Sequence, residues 1–339
     1  MKRAIYRIDK TGKLNNLKLQ EENLSSPKEN EVTIEIKSIG LNFADIFAML
    51  GLYSATPKTP FVPGLEYSGI VTQKGELVND FSIGDKVMGV TKFGAYSNYL
   101  NIDSSYLIQL PEDWSFEDGA AFLVNSLTAY YALVELGNIK NNKTVLIHSA
   151  AGGVGIYANR IAKRFNAFTI GTVGSSSKVD QCEKEDYDEV IIRGKNFKRQ
   201  LEEKLSGRNL DIVLECIGGK IFKDSYALLT PQGRLITYGS ANFSTKNVKL
   251  GFPKLIYNYL SRPKIDPLKM INTNRAVMGF NLIWLWEQKE QMSEMVKELN
   301  KLTLARPLIG KVFSFNKMHS AIAFLQSGKS IGKVVVNVD

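Results

Sequence analysis

Two textures of apolar and polar positions divide the chain. From Met1 to about Phe122, Glu31–Lys37 alternates at period two, as a half-buried strand does. Glycines at 40, 51, 64, 69, 75, 84, 89 and 94 then punctuate short apolar runs, which predicts a compact, turn-rich β fold. From about Ser126 the pattern changes. Thr144–His148, Phe168–Thr172, Glu189–Ile192, Asp211–Glu215 and Arg234–Tyr238 are short apolar strands, mostly separated by helical segments. That alternation predicts βαβ units on a parallel sheet. In the first intervening helix Val154, Ala158, Ile161 and Phe165 recur at helical spacing and form one apolar stripe. The tail from Leu308 returns to strand, helix and strand over Lys311–Phe315, Met318–Ser327 and Gly332–Val338.

The pattern therefore predicts an α/β protein of two domains, which suits a chain of 339 residues. Residues 1–124 and 308–339 form a discontinuous β-rich domain around a nucleotide-binding domain of residues 125–307. No Pro/Gly-rich spacer marks the join at Phe122–Thr128, so the domains are expected to share a helix. Hydrophobic residues at 44% and charged residues at 23% describe an ordinary globular protein. No apolar run reaches the ~18 residues of a membrane span. With only Cys182 and Cys216, no disulfide framework is available, and a cytoplasmic location is the expectation. The net charge of +9 invites a nucleic-acid partner, but no nucleic-acid signature accompanies it. Seven basic residues against Asp266 between Lys246 and Arg275 account for much of that charge, so the basicity is mostly local.

The strongest chemical motif runs from Val145 through Ser149, Ala150, Ala151, Gly152, Gly153 and Val154 to Gly155. It ends an apolar strand and opens an amphipathic helix, the context of a dinucleotide turn. Small residues let the backbone approach a pyrophosphate, and the helix N-terminus offers free N–H groups. A tight strand–helix turn without a ligand is the bland alternative. The next strand end discriminates between cofactors. An NAD site carries an acid there, but this chain reads Thr172-Val-Gly174-Ser175-Ser176-Ser177-Lys178, with none before Asp180. Hydroxyls and an ammonium suit a 2′-phosphate, so NADPH is the expected cofactor, against a merely solvated Ser-rich turn.

Asn42-Phe-Ala-Asp45 with Gly51-Leu-Tyr53, Pro63-Gly-Leu-Glu66 with Gly69, Asn125–Ala132 and the glycine turn together resemble the zinc-free medium-chain dehydrogenase/reductases of the quinone oxidoreductase family. Asn274–Leu282 and the basic stretch before it look like the VAT-1 subgroup. The resemblance spans nearly the whole chain. It implies a GroES-like β-rich catalytic domain and a Rossmann doubly wound parallel-sheet domain, with the cofactor in the cleft between them. By the same resemblance, Asn42, Asn125 and Thr128 would line the nicotinamide, and Lys178 the 2′-phosphate. Ile217, Gly239, Ser240, Phe280, Asn281 and Leu282 would flank the cofactor, and Lys333 would close from the C-terminal segment. Two positions depart from the family. Met49 stands where Arg is frequent, and Ile192-Arg193 where a Tyr is frequent; Arg193 could pair with the adenosine phosphate.

Asn42 and Leu65 fall where the wider superfamily has Cys and His ligands to zinc, and Glu66 alone cannot hold a metal. Zinc is thus not expected. Cys182 and Cys216 read as small buried hydrophobes, and His148 and His319 as structural. Without a Lewis acid, hydride transfer to a quinone or α,β-unsaturated carbonyl is the favoured chemistry, with an enoyl-thioester reductase as the alternative. Tyr53 is either a hydrogen-bond or proton donor to the acceptor, or a packing aromatic in its turn. Asn42 is expected to orient nicotinamide and acceptor rather than to transfer a proton. The basic insert at about 243–275 places Phe252, Leu255, Ile256 and Tyr259 on one apolar face, beside Lys249, Lys254, Arg262 and Lys264. It could cover the cleft, contact a second subunit or lie on an anionic membrane. A lipid-handling or membrane-associated NADPH-binding adaptor is therefore the non-enzymatic alternative, and the resemblance implies a homodimer.

Overall fold

The computed structural model describes residues 1–241 and 262–338. Two compact units emerge: Met1–Val124, Leu285–Glu290 and Ala305–Asp339 in the first, Asn125–Trp284 and Gln291–Leu304 in the second. The sequence pattern places all of residues 125–307 in one domain; the structure gives Leu285–Glu290 and residues 305–307 to the other unit. Aromatic packing is the reason for the first transfer. Trp286 stacks on Tyr106 at 3.7 Å and 15°, and its carbonyl accepts from the Tyr106 hydroxyl at 3.0 Å.

The first unit opens with an antiparallel pair, β1 (Lys2–Ile8) and β2 (Leu17–Asn23). Then follow β3 (Glu31–Gly40), helix α1 (Phe43–Met49), β4 (Glu66–Lys74), β5 (Lys86–Val90), β6 (Tyr99–Asp103) and β7 (Leu107–Gln109). The alternation seen at Glu31–Lys37 gives way to continuous burial from Ser38 to Gly40, which extends β3 beyond its predicted end. One edge of β3 pairs with β4, and β6 pairs with the other along Glu31–Glu35.

Helix α2 (Phe116–Tyr130) continues through one π-helical segment to Leu136. The division between the units falls inside α2. At 21 residues this helix is long and apolar enough to cross a membrane, contrary to the sequence expectation. Its apolar window is 72% buried, as in the core helix of a globular protein.

The second unit continues through β8 (Thr144–His148), α3 (Gly153–Arg164), β9 (Phe168–Val173), α4 (Val179–Lys184), β10 (Glu189–Ile192) and α5 (Phe197–Leu205). It goes on with β11 (Leu210–Glu215), α6 (Gly219–Leu228), β12 (Leu229–Thr237), α7 (Pro267–Thr273), β13 (Ala276–Gly279) and α8 (Lys289–Lys301), whose first two residues belong to the first unit. Among the described residues its six strands are all parallel, in the order β10-β9-β8-β11-β12-β13. The chain enters at β8, winds outward to β10, then returns to β11 beside β8 and winds the other way. This is the doubly wound order, and its switch point, between β8 and β11, is where ligands bind in such sheets. The predicted stripe on α3 proves narrow: Ile156, Tyr157, Asn159 and Ala162 are buried beside Ala158 and Ile161, while Val154 and Phe165 are half-buried.

The tail supplies β14 (Ile309–Ser314), α9 (Met318–Gln326) and β15 (Lys333–Asn337). β15 pairs with β14 and with the end of β3, completing a seven-stranded sheet in the first unit. Its alternating contacts bring Val334 and Val336 into one core with Ile34, Ile36, Tyr67 and Val87. Lys333, the first residue of β15, is thereby drawn inside.

Candidate functional site

In the first unit, β3, β4 and β15 converge on a buried polar cluster. Glu66, which opens β4, is 0% exposed, and Lys333 is 4% exposed. Their side chains form an ion pair. Gly40 makes room for it: a Cβ there would lie 1.9 Å from the Ala120 carbonyl oxygen and 2.9 Å from Lys333 Cε. Glu66 Oε2 also accepts the Val124 amide at 3.1 Å.

Asn42 completes the cluster. Lys333 Nζ donates to Asn42 Oδ1 at 2.8 Å, and Asn42 Nδ2 donates to Glu66 Oε1 at 3.0 Å and to the Gly40 carbonyl at 3.2 Å. An ammonium can only donate, whereas the paired carboxylate and the carbonyl accept, so the amide has one orientation. Both Nδ2 protons are committed. Asn42 therefore cannot supply a hydrogen bond to a ligand.

Behind Asn42 sits an acid to which the sequence reading gave no role. Asp45, 0% exposed, accepts the Asn42 amide at 2.8 Å and the Tyr96 hydroxyl at 3.0 Å, both through Oδ2. Its Oδ1 has no partner among the described residues. Burial raises its pKa to about 7, against the lowering effect of those hydrogen bonds and of Lys333. The signal was present, because Asn42 and Asp45 hold the N-cap and N3 positions of a capping box on α1. Tyr53 lies in the turn after α1, half-buried against the core cluster, and its carbonyl accepts from the Thr56 amide at 3.0 Å.

The second unit carries the glycine turn at the end of β8, beside the switch point. Ser149 takes a left-handed backbone at φ 56°, and Gly152 donates to the Ser149 carbonyl at 2.8 Å. The first helical bond of α3 runs from Ile156 to the Gly152 carbonyl. The amides of Gly153, Val154 and Gly155 therefore precede the intrahelical ladder and face outward for an anion. Asn125 lies against Gly153, where a Cβ would come within 2.3 Å of its amide nitrogen. Tyr187, also missed in the sequence, props the turn by donating to the Gly155 carbonyl at 2.8 Å.

Ser175 and Ser176 are exposed and Lys178 half-buried, all just past β9. Arg193 follows β10 and donates from Nη1 to the carbonyl and hydroxyl oxygens of Thr172, both at 2.8 Å. On the other side of the switch point, Glu215 Oε1 accepts the amides of Ile217 and Gly218 at 2.8 and 2.7 Å. Thr128 is buried in α2, while Gly239 is exposed and Ser240 half-buried after β12. Phe280 packs between Tyr131 and Tyr238, with ring centroids 5.0 and 6.2 Å away, and Asn281 and Leu282 follow half-buried. The amphipathic run at Phe252–Tyr259 lies outside the described residues, as do Lys249 and Lys254.

A catalytic zinc does not fit the residues present. The oxygen of Asn42 and the carboxylate of Glu66 already face the Lys333 ammonium, which would repel a divalent cation, and Leu65 is a buried apolar residue. Among the described residues no three His, Cys, Asp or Glu side chains gather to hold a metal.

Comparison with known proteins places this geometry in a family. The alcohol dehydrogenase GroES-like domain model matches residues 28–112, and the zinc-binding dehydrogenase model matches residues 153–301. The synaptic vesicle membrane protein VAT-1 homologue of Danio rerio is 35% identical over 318 residues, covering 92% of this chain and 65% of that protein. Its Homo sapiens counterpart is 33% identical over 314 residues, covering 92% and 80%. The chain thus spans just under two thirds of the Danio rerio protein. Among solved structures, the human VAT-1 homologue-like protein superposes with a TM-score of 0.84 at 27% identity, covering 100% of this chain and 99% of that one. Escherichia coli quinone oxidoreductase complexed with NADPH gives 0.83 at 26% identity, with 99% and 100% covered. The CurK enoyl reductase gives 0.85 at 27%, with 99% of each covered. With a GroES-like unit, a doubly wound sheet and an ammonium among the residues that would have to hold a metal, the chain belongs to the zinc-free medium-chain dehydrogenase/reductases, in their VAT-1-like branch.

Proposed function

We propose that this chain is an NADPH-dependent reductase that passes hydride to a quinone or an α,β-unsaturated carbonyl. The observation that carries the reading is the Asn42–Glu66–Lys333 cluster, where an ammonium stands among the residues that would have to hold a metal, which suits a reaction needing no Lewis acid. Electron-poor acceptors delocalise the charge that develops on reduction, so hydrogen-bond donors suffice. NADPH, when bound, supplies the hydride. The outward amides of Gly153 and Val154, beside Ala151 and Gly152, would hold its pyrophosphate. Ser175, Ser176 and Lys178, with no acid among them, would receive its 2′-phosphate. Asn42 would orient the nicotinamide end. Tyr53 would donate to the acceptor oxygen. Support comes also from the likeness to a quinone oxidoreductase structure that contains NADPH.

The test is a panel of quinones, enones and enoyl thioesters, each offered NADPH and NADH side by side. NADPH consumption with a quinone or enone is expected. Lys178→Ala should raise the KM for NADPH by about tenfold while leaving kcat within about twofold. No turnover anywhere on the panel would overturn the proposal. A likeness to an enoyl reductase keeps one narrower alternative in view. Turnover confined to enoyl thioesters, and mostly lost in Tyr53→Phe, would select it.

A further inference from the structure

Four side chains that the proposed reaction does not use form a hydrogen-bonded chain across the parallel sheet of the second unit. Arg193 Nη1 reaches Thr172 Oγ1 at 2.8 Å, Thr172 Oγ1 lies 2.8 Å from His148 Nδ1, and His148 Nε2 lies 3.0 Å from Ser225 Oγ. Ser225 Oγ in turn donates to the Ile221 carbonyl at 2.8 Å. One placement of the protons satisfies every bond. With the one Ser225 hydroxyl proton on the Ile221 carbonyl, His148 Nε2 is the donor to Ser225. Neutral His148 then accepts at Nδ1, from the Thr172 hydroxyl. Thr172 Oγ1 accepts from Arg193, which can only donate. Burial, with the Arg193 charge nearby, lowers the His148 pKa to about 3, so the ring stays neutral throughout the physiological range.

The far end of this chain is a guanidinium held by both protons of one nitrogen, since Nη1 also donates to the Thr172 carbonyl at 2.8 Å. Three of the five Arg193 protons, on Nε and Nη2, have no partner among the described residues. Nη2 points at the backbone of Gly174, where an added Cβ would stand 3.4 Å from it. Gly174 opens the Gly174–Lys178 segment, which carries the hydroxyls and the ammonium.

We propose that Ser225, His148 and Thr172 are positioning residues that hold Arg193 so that its unpaired edge receives the phosphate monoester on the cofactor's adenosine ribose. This deepens, and rests on, the NADPH reading. A guanidinium fixed in advance loses less freedom on binding than a surface lysine, so its contribution falls on the nucleotide with the extra phosphate. NADH lacks that group and should be indifferent to the relay.

Direct titration of the full-length protein with NADPH and with NADH, without any acceptor, tests this apart from turnover. Wild-type protein should bind NADPH the more tightly. Arg193→Ala should narrow the NADPH-to-NADH affinity ratio by about tenfold or more. Thr172→Val keeps the shape but severs the relay; it should narrow the ratio by about threefold, with NADH affinity held within about twofold. Thr172→Ser, which keeps the hydroxyl, should restore it. Retained NADH binding shows that the variants are folded. An unchanged ratio in Arg193→Ala, or an equal loss of both nucleotides in Thr172→Val, overturns the relay while the NADPH reading stands. Wild-type protein that binds neither nucleotide overturns both.

Discussion

Asp45 occupies the first turn of α1, where a negative charge is ordinarily favoured. Its complete burial outweighs that and its two hydrogen bonds, raising its pKa from an ordinary 3.8 to about 7. For an acid raised on folding, the native state is favoured in full below the unfolded pKa and loses that advantage as pH rises through the folded one. The wild-type protein should therefore lose on the order of 4 kcal/mol between about pH 4 and pH 8 from this group. Asp45→Asn cannot titrate. It carries a pH-independent penalty, because its new amide protons fall where Oδ1 has no partner. The informative quantity is thus the slope: Tm of the variant minus Tm of wild type should climb steadily from pH 5 to pH 8. Parallel curves would show that Asp45 is ionised throughout. The sequence displayed the capping box at Asn42 and Asp45, but nothing in it told that Tyr96 would close over the carboxyl from 51 residues away.

At the scale of one element, the glycine turn separates glycines needed for folding from those left for a ligand. A Cβ at Gly155 would meet the backbone carbonyl oxygens of Ser149 and Ala150 at 2.5 and 2.7 Å, and backbone cannot step aside. At Gly152 the nearest atom is 3.2 Å away, and the residue has an ordinary φ of −87°. Gly155→Ala should cost about 2–3 kcal/mol in denaturant unfolding. Gly152→Ala should stay within about 1 kcal/mol of wild type yet weaken NADPH at least severalfold, since the methyl would occupy the approach to the pyrophosphate. If Gly152→Ala left NADPH affinity untouched, the turn would be a strand–helix corner and no more. This element was the most legible part of the chain, because its strand, turn and helix are local in sequence. Thr144–His148 and Glu189–Ile192 have the very bounds their apolar runs predict. The Tyr187 prop and the Ser225–His148 contact were not legible, because each joins residues at least 32 positions apart through the sheet's interior.

At the scale of the whole molecule, the first unit is closed by chain that departs and returns. Lys333 meets Glu66 across 267 positions and Trp286 meets Tyr106 across 180. Periodicity carries no information over such separations, which is why the six-residue return at Leu285–Glu290 is not legible in the sequence. Its anchoring is specific. Besides the stack, Lys289 pairs with Asp103 at 2.9 Å and sits 5.0 Å from the Tyr106 ring centroid, so two residues of the segment contact one aromatic. The ion pair is partly exposed and contributes little by itself. The apolar area of Trp286 should dominate. Trp286→Ala is therefore expected to destabilise the protein by about 2–3 kcal/mol, the lower end for a large aromatic because the ring is only half-buried. Trp286→Phe, which preserves a stacking ring, should recover about half of that. Lys289→Ala should fall within about 1 kcal/mol of wild type. The three variants compared by denaturant unfolding decide the point. A larger loss from Lys289→Ala than from Trp286→Ala would mean that charge rather than stacked area fastens the returning segment.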